Sequence, residues 1–122
     1  VKPQIADQVW HEICLQVSSF FSQMRGQESV VTRDGGFLVD GNSVPSLSGS
    51  TLDVLGLAIR VALTKTFLPT TTMLLLDEPF AACDEERQAR ALAFLTQCGF
   101  EQVVIITHEE STQAVADHLI TL

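Results

Sequence analysis

Apolar residues at helical spacing run through the first part of the chain. Over residues 4–25 they recur mostly three or four positions apart, which is typical of an amphipathic helix with one buried face. The stripe consists of Ile5, Val9, Trp10, Ile13, Val17, Phe20, Phe21 and Met24. Pro3 suits the entry of such a helix and Gly26 its exit, so one helix is predicted over 4–25.

The pattern then shortens to that of strands. Two strand-like segments, 29–33 and 37–39, flank Asp34-Gly35-Gly36, whose glycines supply the positive φ that a tight hairpin needs. A hairpin is therefore predicted over 29–39. The polar residues that follow are predicted to form a loop, with a second turn at Asp40-Gly41.

A second helix is predicted over roughly 50–67. Its apolar residues surround most of the helix, which indicates burial on more than one side. Ser50 can cap its start, and Asp53 stands three residues later, as in a capping box. We therefore expect the Ser50 side chain to serve the helix cap.

The rest of the chain alternates strand and helix. Strands are predicted over 73–76 and 103–107, with a helix over about 84–97 between them. This order predicts parallel strands buried on both faces. A last helix is predicted near 111–118, and residues 119–122 are predicted to form a final strand.

Polar side chains that could take part in catalysis or metal binding follow both of these strands. Asp77 and Glu78 end the first, and Thr107 and His108 end the second. Because the carboxyl ends of parallel strands converge, these side chains are expected to share one crevice. A carboxylate there can hold Mg²⁺ and its neighbour can polarise a water, although an acidic helix-capping loop would give the same string.

A serine-glycine turn, residues 46–50, precedes the second helix. Free backbone N–H groups and the positive end of the helix dipole can bind an anion there, although an ordinary serine cap has the same sequence. His108 on its own also fits a structural hydrogen-bonding role.

Composition narrows the class of protein. The 122 residues are 46% hydrophobic, enough for one folded domain, and no apolar run reaches the roughly 18 residues of a membrane span. The three cysteines have no metal-ligand spacing, which favours reduced, buried thiols. With a net charge of −8 the chain is a poor DNA binder by itself.

The order of these motifs resembles the C-terminal half of an ABC-type ATPase head. LSGS at 47–50 resembles the signature motif, LLLDEP at 74–79 the Walker B segment, AACDEE at 81–86 the D-loop and ITHEE at 106–110 the switch-histidine loop. Within that superfamily the chain is most similar to the SMC and SbcC branch, over residues 29–122.

The resemblance implies a fold and a division of the chain. The fold would be α/β, a P-loop NTPase half-head with a mostly parallel sheet flanked by helices and a small β-hairpin. Residues 1–26 would be the end of a coiled coil at the root of the head, although a plain amphipathic helix packed on the domain fits the same pattern. Residues 27–122 would be the C-terminal ATPase lobe.

The resemblance also implies roles for single residues. Asp77 would bind Mg²⁺, Glu78 would be the general base, and His108 would contact the γ-phosphate. Four residues would reach nucleotide held by an opposite head: Ser48, Gly49, Ser50 and Asp84.

Three departures from the family pattern lie together at the signature. Ser50 stands where the family has a second glycine, Thr51 where Glu or Gln is usual, and Leu52 where many members have Arg. A contact to the opposite head is therefore expected to be weakened or altered. Cys83 also replaces a usual leucine.

No GxxxxGK[ST] phosphate-binding loop occurs in the 122 residues. The chain is accordingly expected to be a fragment that is inactive alone, and an N-terminal half would carry the P-loop.

The complete protein is expected to be an SMC/SbcC-like ATPase of the cytoplasm or nucleoid. It would use ATP and Mg²⁺, pair with a second head and a nuclease subunit, and reach DNA through other parts of the complex, with no membrane involved. The alternatives are a degenerate, non-hydrolysing tethering head, a RecF-like branch, or a transporter ATPase, which the upstream helix disfavours.

Overall fold

The computed structural model describes residues 3–33, 36–43 and 48–107, which form an α/β fold. The elements, in chain order, are α1 (Pro3–Arg25), β1 (Val31–Arg33), β2 (Phe37–Val39), β3 (Asn42–Ser43), α2 (Gly49–Phe67), β4 (Met73–Asp77), α3 (Glu85–Gln97) and β5 (Gln102–Ile106). His108 and the helix and strand predicted after it lie outside the described residues.

The amphipathic helix α1 is confirmed, and its apolar stripe from Val9 to Met24 lies in or against the core. Ile13, Val17, Phe21 and Met24 are fully buried, whereas Val9, Trp10 and Phe20 are half-buried against the same core. The helix packs on α2, α3 and β1. Its buried half therefore shares one hydrophobic core with the rest of the described chain, and the proposed division at residue 26 stays a prediction.

Helix α2 is buried on more than one side, as its sequence predicts. The buried apolar side chains are Val54, Leu55, Leu57, Ala58, Val61 and Ala62. Adjacent positions on a helix point about 100° apart, so a run of this kind needs neighbours on two faces. Helix α1 packs against α2, and the buried residues of β4 and α3 belong to the same core.

The predicted hairpin is confirmed as β1 and β2, which pair antiparallel with Val31 opposite Val39. The structure adds a third strand, β3, which pairs with β2. Asp40 and Gly41, both with positive φ (51° and 84°), form the tight turn between them. The loop predicted at these positions is therefore wrong, because Asn42 and Ser43 are too few and too polar to show strand alternation.

The parallel pairing of β4 and β5 is confirmed, with Leu74 opposite Val103 and Leu76 opposite Ile105. These four side chains face the core. The prediction that the strands are buried on both faces is wrong for the described residues. On the other face Met73, Leu75 and Ile106 are 49%, 48% and 46% exposed. Strand β4 therefore alternates between buried and exposed side chains.

Candidate functional site

Asp77 and Glu78 lie at the carboxyl end of β4, where the sequence predicts chemistry. Asp77 is exposed and Glu78 is half-buried, so the two carboxylates are not taken out of water together. Glu78 has a φ of 45°, in the left-handed region that side chains other than Gly, Asn and Asp seldom adopt. Backbone strain of this kind concentrates at functional sites.

Glu78 is held to the end of β5. Its backbone N–H donates to the carbonyl oxygen of Ile106 across 2.7 Å. The Thr107 hydroxyl donates to Oε2 of Glu78 across 3.4 Å. The structure thus brings together the ends of both strands, as predicted, while His108 lies outside the described residues.

Ser48, two residues earlier than predicted, is the N-cap of α2. Its backbone is extended (φ −66°, ψ 158°), and its Oγ accepts from the backbone N–H of Thr51 across 3.2 Å. The Ser48 hydroxyl donates to Thr51 Oγ1 across 2.9 Å. The sequence offers serines at 46, 48 and 50, each able to cap a helix, so composition alone does not fix which one does so.

Ser50 has a different set of partners, and the predicted capping box with Asp53 is wrong. Its Oγ accepts from Nη1 of Arg87 across 3.1 Å and lies 3.6 Å from the sulfur of Cys83. Asp53 instead accepts from the backbone N–H of Ala82, with 2.9 Å between Oδ2 and the nitrogen. The start of α2 is therefore bonded to the loop that precedes α3.

We call residues 48–50 the Ser-Gly turn and residues 78–84 the acidic loop. The two segments approach closely at Gly49, where an added Cβ would lie 3.3 Å from the Cβ of Ala82. That distance is tighter than an ordinary van der Waals contact, so the glycine permits the approach.

Asp84 ends the acidic loop and caps α3. Its Oδ1 accepts from the backbone N–H of Arg87 across 2.8 Å, and its backbone is extended. Gln88, a buried amide, donates from Nε2 to the carbonyl oxygen of Cys83 across 3.2 Å. The loop is thus fixed to α3 at one end and to β5, through Glu78, at the other.

The predicted residues of the Ser-Gly turn and Asp84 belong to segments that the structure brings together. Sequence reasoning missed the side chains that join them, Asp53 and Arg87. The sequence carries no signal for the individual bonds, which join residues 29 to 37 positions apart.

Burial raises the pKa of the Cys83 thiol, although the hydrogen bond from Ser50 opposes the shift. Burial likewise raises the pKa of Cys14 and Cys98. All three cysteines are free thiols, and Cys14 and Cys98 are buried. The sequence prediction of buried, reduced thiols is therefore confirmed for Cys14 and Cys98, whereas Cys83 is half-buried.

The chemistry of Asp77 fits the protein's share of a magnesium site. Mg²⁺ keeps several waters and takes one or two carboxylates together with substrate phosphates. An exposed carboxylate at a strand end can supply one such ligand. Within the described residues no group of three or more His, Cys, Asp or Glu side chains could hold a metal ion by itself.

Comparisons with known proteins place the chain in a family. The chain is 33% identical over 88 residues to the DNA double-strand break repair Rad50 ATPase of Methanococcus maripaludis, a match over 71% of the chain and 9% of that protein. It is 36% identical over 87 residues to the Rad50 ATPase of Pyrococcus abyssi, a match over 68% of the chain and 10% of that protein. The chain is a segment of an SMC/Rad50-like ABC ATPase head.

Solved structures agree with this SMC/Rad50-like head fold. One, from work on ATP-driven dimerization and DNA-stimulated activation of SMC ATPases, superposes with a TM-score of 0.81 at 20% identity, over 98% of this chain and 81% of that one. The SMC head bound to the C-winged helix domain of ScpA has a TM-score of 0.68 at 18% identity, over 88% of this chain and 37% of that one. At these identities the likeness concerns the fold alone.

The head segment spans about a tenth of the length of the Rad50 relatives. No family model matches it. Of the helices in the described part of the chain, none combines the length and apolar character that crossing a membrane requires.

Proposed function

We propose that the complete protein binds and hydrolyses ATP at an interface between two heads, and that this chain supplies the C-terminal lobe. The observation that carries the proposal is the bonding of the start of α2 to the acidic loop and the start of α3, through Asp53 to Ala82 and through Ser50 to Arg87. The first of these segments resembles a signature motif. The second follows a Walker B-like strand and runs into a D-loop-like sequence.

The residues that follow β4 and β5 would each have one role in ATP hydrolysis. Asp77 would hold Mg²⁺, which when bound neutralises charge on the phosphates. Glu78 would accept a proton from the attacking water. Its half-buried carboxylate is kept at the strand end by the bond from its own N–H to Ile106. His108, next to Thr107, would contact the γ-phosphate.

The Ser-Gly turn and Asp84 would serve nucleotide bound by the opposite head. Unpaired N–H groups at the start of a helix, together with its dipole, favour a phosphate. The Ser48 hydroxyl donates to Thr51, so a contact from it to phosphate requires its hydrogen to reorient. Ser50 is held by Arg87, and Asp84 is exposed with Oδ1 engaged in the cap of α3.

The proposal extends to the whole assembly. Rad50 relatives carry the description of DNA double-strand break repair ATPases, which favours a role in DNA repair or recombination. We propose an N-terminal half with the P-loop, a second head, a nuclease subunit and a coiled coil that continues α1. DNA would contact other parts of this intracellular complex, because the chain itself carries a net charge of −8.

The decisive experiment is Glu78→Gln in the complete protein. The amide keeps the size of the side chain but cannot accept the proton, so turnover falls at least about 100-fold while an ATP-bound dimer accumulates. Glu101→Gln, at an exposed position, is the matched control and retains normal turnover. Turnover of Glu78→Gln within about twofold of the unmodified protein excludes Glu78 as the base.

A second candidate function is a non-hydrolysing head that tethers its partners. The observation that favours it is the engagement of both serine hydroxyls, Ser48 with Thr51 and Ser50 with Arg87. An unmodified protein that dimerises with ATP but does not turn it over supports this alternative.

A further inference from the structure

The three side chains Ser50, Thr51 and Arg87 form one hydrogen-bonded unit. Nη1 of Arg87 lies 3.1 Å from Oγ of Ser50 and 3.0 Å from Oγ1 of Thr51. Thr51 is only 4% exposed, and Ser50 and Arg87 are half-buried. Two of the positions at which the chain departs from the signature pattern thus carry hydroxyls, and both accept from the same guanidinium nitrogen.

Arg87 is itself fixed to the acidic loop. Its backbone N–H donates to Asp84 Oδ1 across 2.8 Å, in the first turn of α3. Its guanidinium makes no ion pair with any carboxylate of the described residues, in contrast to Arg90, which pairs with Glu86 on the same helix. Within the described residues, both side-chain hydrogen bonds of Arg87 therefore go to the start of α2.

We propose that Arg87 is a positioning residue that locks the Ser-Gly turn to the acidic loop, so that both move as one body when the site forms. This inference rests on the proposed function and concerns the regulation of that same site. A guanidinium with two fixed acceptors holds its partners in a defined orientation, because its donors lie in one plane. Asp53, further along α2, accepts a second, independent bond from Ala82 of the acidic loop.

The hydrogen-bonded unit also explains what the Ser50 side chain does in place of the family's glycine. A serine in place of glycine adds a Cβ beside the turn, yet its hydroxyl accepts from Arg87 and donates to the sulfur of Cys83. The side chain is directed into the junction between α2 and the acidic loop. Serine restricts the backbone at position 50 more than glycine would, and its hydroxyl helps to fix the two segments relative to each other.

The test uses Arg87→Met in the complete protein, which keeps an apolar stem and removes the donors. Hydrogen bonds to charged groups predict a loss of roughly tenfold in ATP-dependent dimer affinity and in kcat. Nucleotide affinity of the undimerised head stays within about twofold, because Arg87 acts on the interface and not on the P-loop. Arg87→Lys keeps a charged donor but not the planar guanidinium, and it recovers part of the loss. Arg60→Met, exposed on α2, changes none of these quantities.

Two further measurements distinguish a positioning role of Arg87 from a general contribution to the stability of the fold. In combination with Thr51→Val or Ser50→Ala, Arg87→Met adds little to either single change, whereas multiplied effects overturn the proposal. Hydrogen exchange in Arg87→Met rises together in residues 48–53 and 80–84. A rise confined to α3, or none, also overturns it. If the unmodified protein neither dimerises nor turns over ATP, the proposed function fails, and the exchange result still decides the role of Arg87.

Discussion

The carboxylate of Asp53 accepts a hydrogen bond from the backbone N–H of Ala82, with 2.9 Å between Oδ2 and the nitrogen. The bond joins the first turn of α2 to the acidic loop. A second attachment runs from Nη1 of Arg87, in the first turn of α3, to Oγ of Ser50. In both bonds a side chain of α2 is the acceptor, Asp53 in the first and Ser50 in the second.

Asp53→Ala is expected to loosen the acidic loop and to lower the free energy of unfolding by about 1 kcal/mol, the usual net value of a hydrogen bond. Asp53→Asn keeps an acceptor oxygen and loses less. Chemical denaturation of the complete protein measures the stability, and hydrogen exchange at the Ala82 amide measures the loop. Equal losses for the alanine and asparagine variants contradict the bond as the cause.

Ser48 and Ser50 are expected to differ although both begin the same helix. Ser48→Ala removes the N-cap and costs about 1 kcal/mol of stability, while Ser48→Gly costs only a few tenths. Ser50→Ala leaves the cap intact and removes one of the two acceptors of Arg87, so its main effect is on ATP-dependent dimerisation. Thermal melts measure the stability of each variant, and sedimentation measures its ATP-dependent dimerisation. A larger loss of stability in Ser50→Ala than in Ser48→Ala contradicts the assignment of the cap.

The elements with long periodic patterns were predictable from the sequence. The stripe of α1 and the parallel order of β4 and β5 follow from periodicity and from the strand–helix–strand arrangement. The cap of α2 was misplaced because several serines share the local chemistry of a cap. Strand β3 was missed because it has only two residues and depends on pairing with β2.

In the candidate site, too, some features could be predicted from the sequence and others could not. Asp77, Glu78 and Asp84 are set by local sequence, since each stands at the end of a strand or the start of a helix. The bonds of Arg87 to Ser50 and Thr51 depend on tertiary packing, which no local pattern encodes.

The exposed face of β4 and β5 was also missed, because a run of apolar residues looks the same whether one or both faces are covered.

The free thiols predict a dependence of stability on alkaline pH. Burial raises the pKa of Cys14, Cys83 and Cys98 above the ordinary value of 9.0. The folded chain therefore keeps protons that the unfolded chain loses, and the stability present below about pH 9 falls as the pH rises through the folded values. Urea denaturation at rising pH measures the decline. Absence of tyrosine removes a competing group, and Cys98→Ala should flatten the slope.

The last prediction concerns the backbone of Glu78, where φ is 45°. A left-handed conformation costs an ordinary side chain roughly 1–2 kcal/mol, and asparagine tolerates it better than glutamine does. Glu78→Asn and Glu78→Gln both remove the carboxylate, so both should lose turnover. Glu78→Asn should nevertheless be the more stable of the two in chemical denaturation, although its shorter side chain weakens the contact with the Thr107 hydroxyl, which at 3.4 Å is long. Greater stability of the glutamine variant would show that the Thr107 contact, and not the backbone, dominates at this position. The predicted order instead means that the protein maintains a strained residue for the sake of its carboxylate, which is the expected behaviour of a general base.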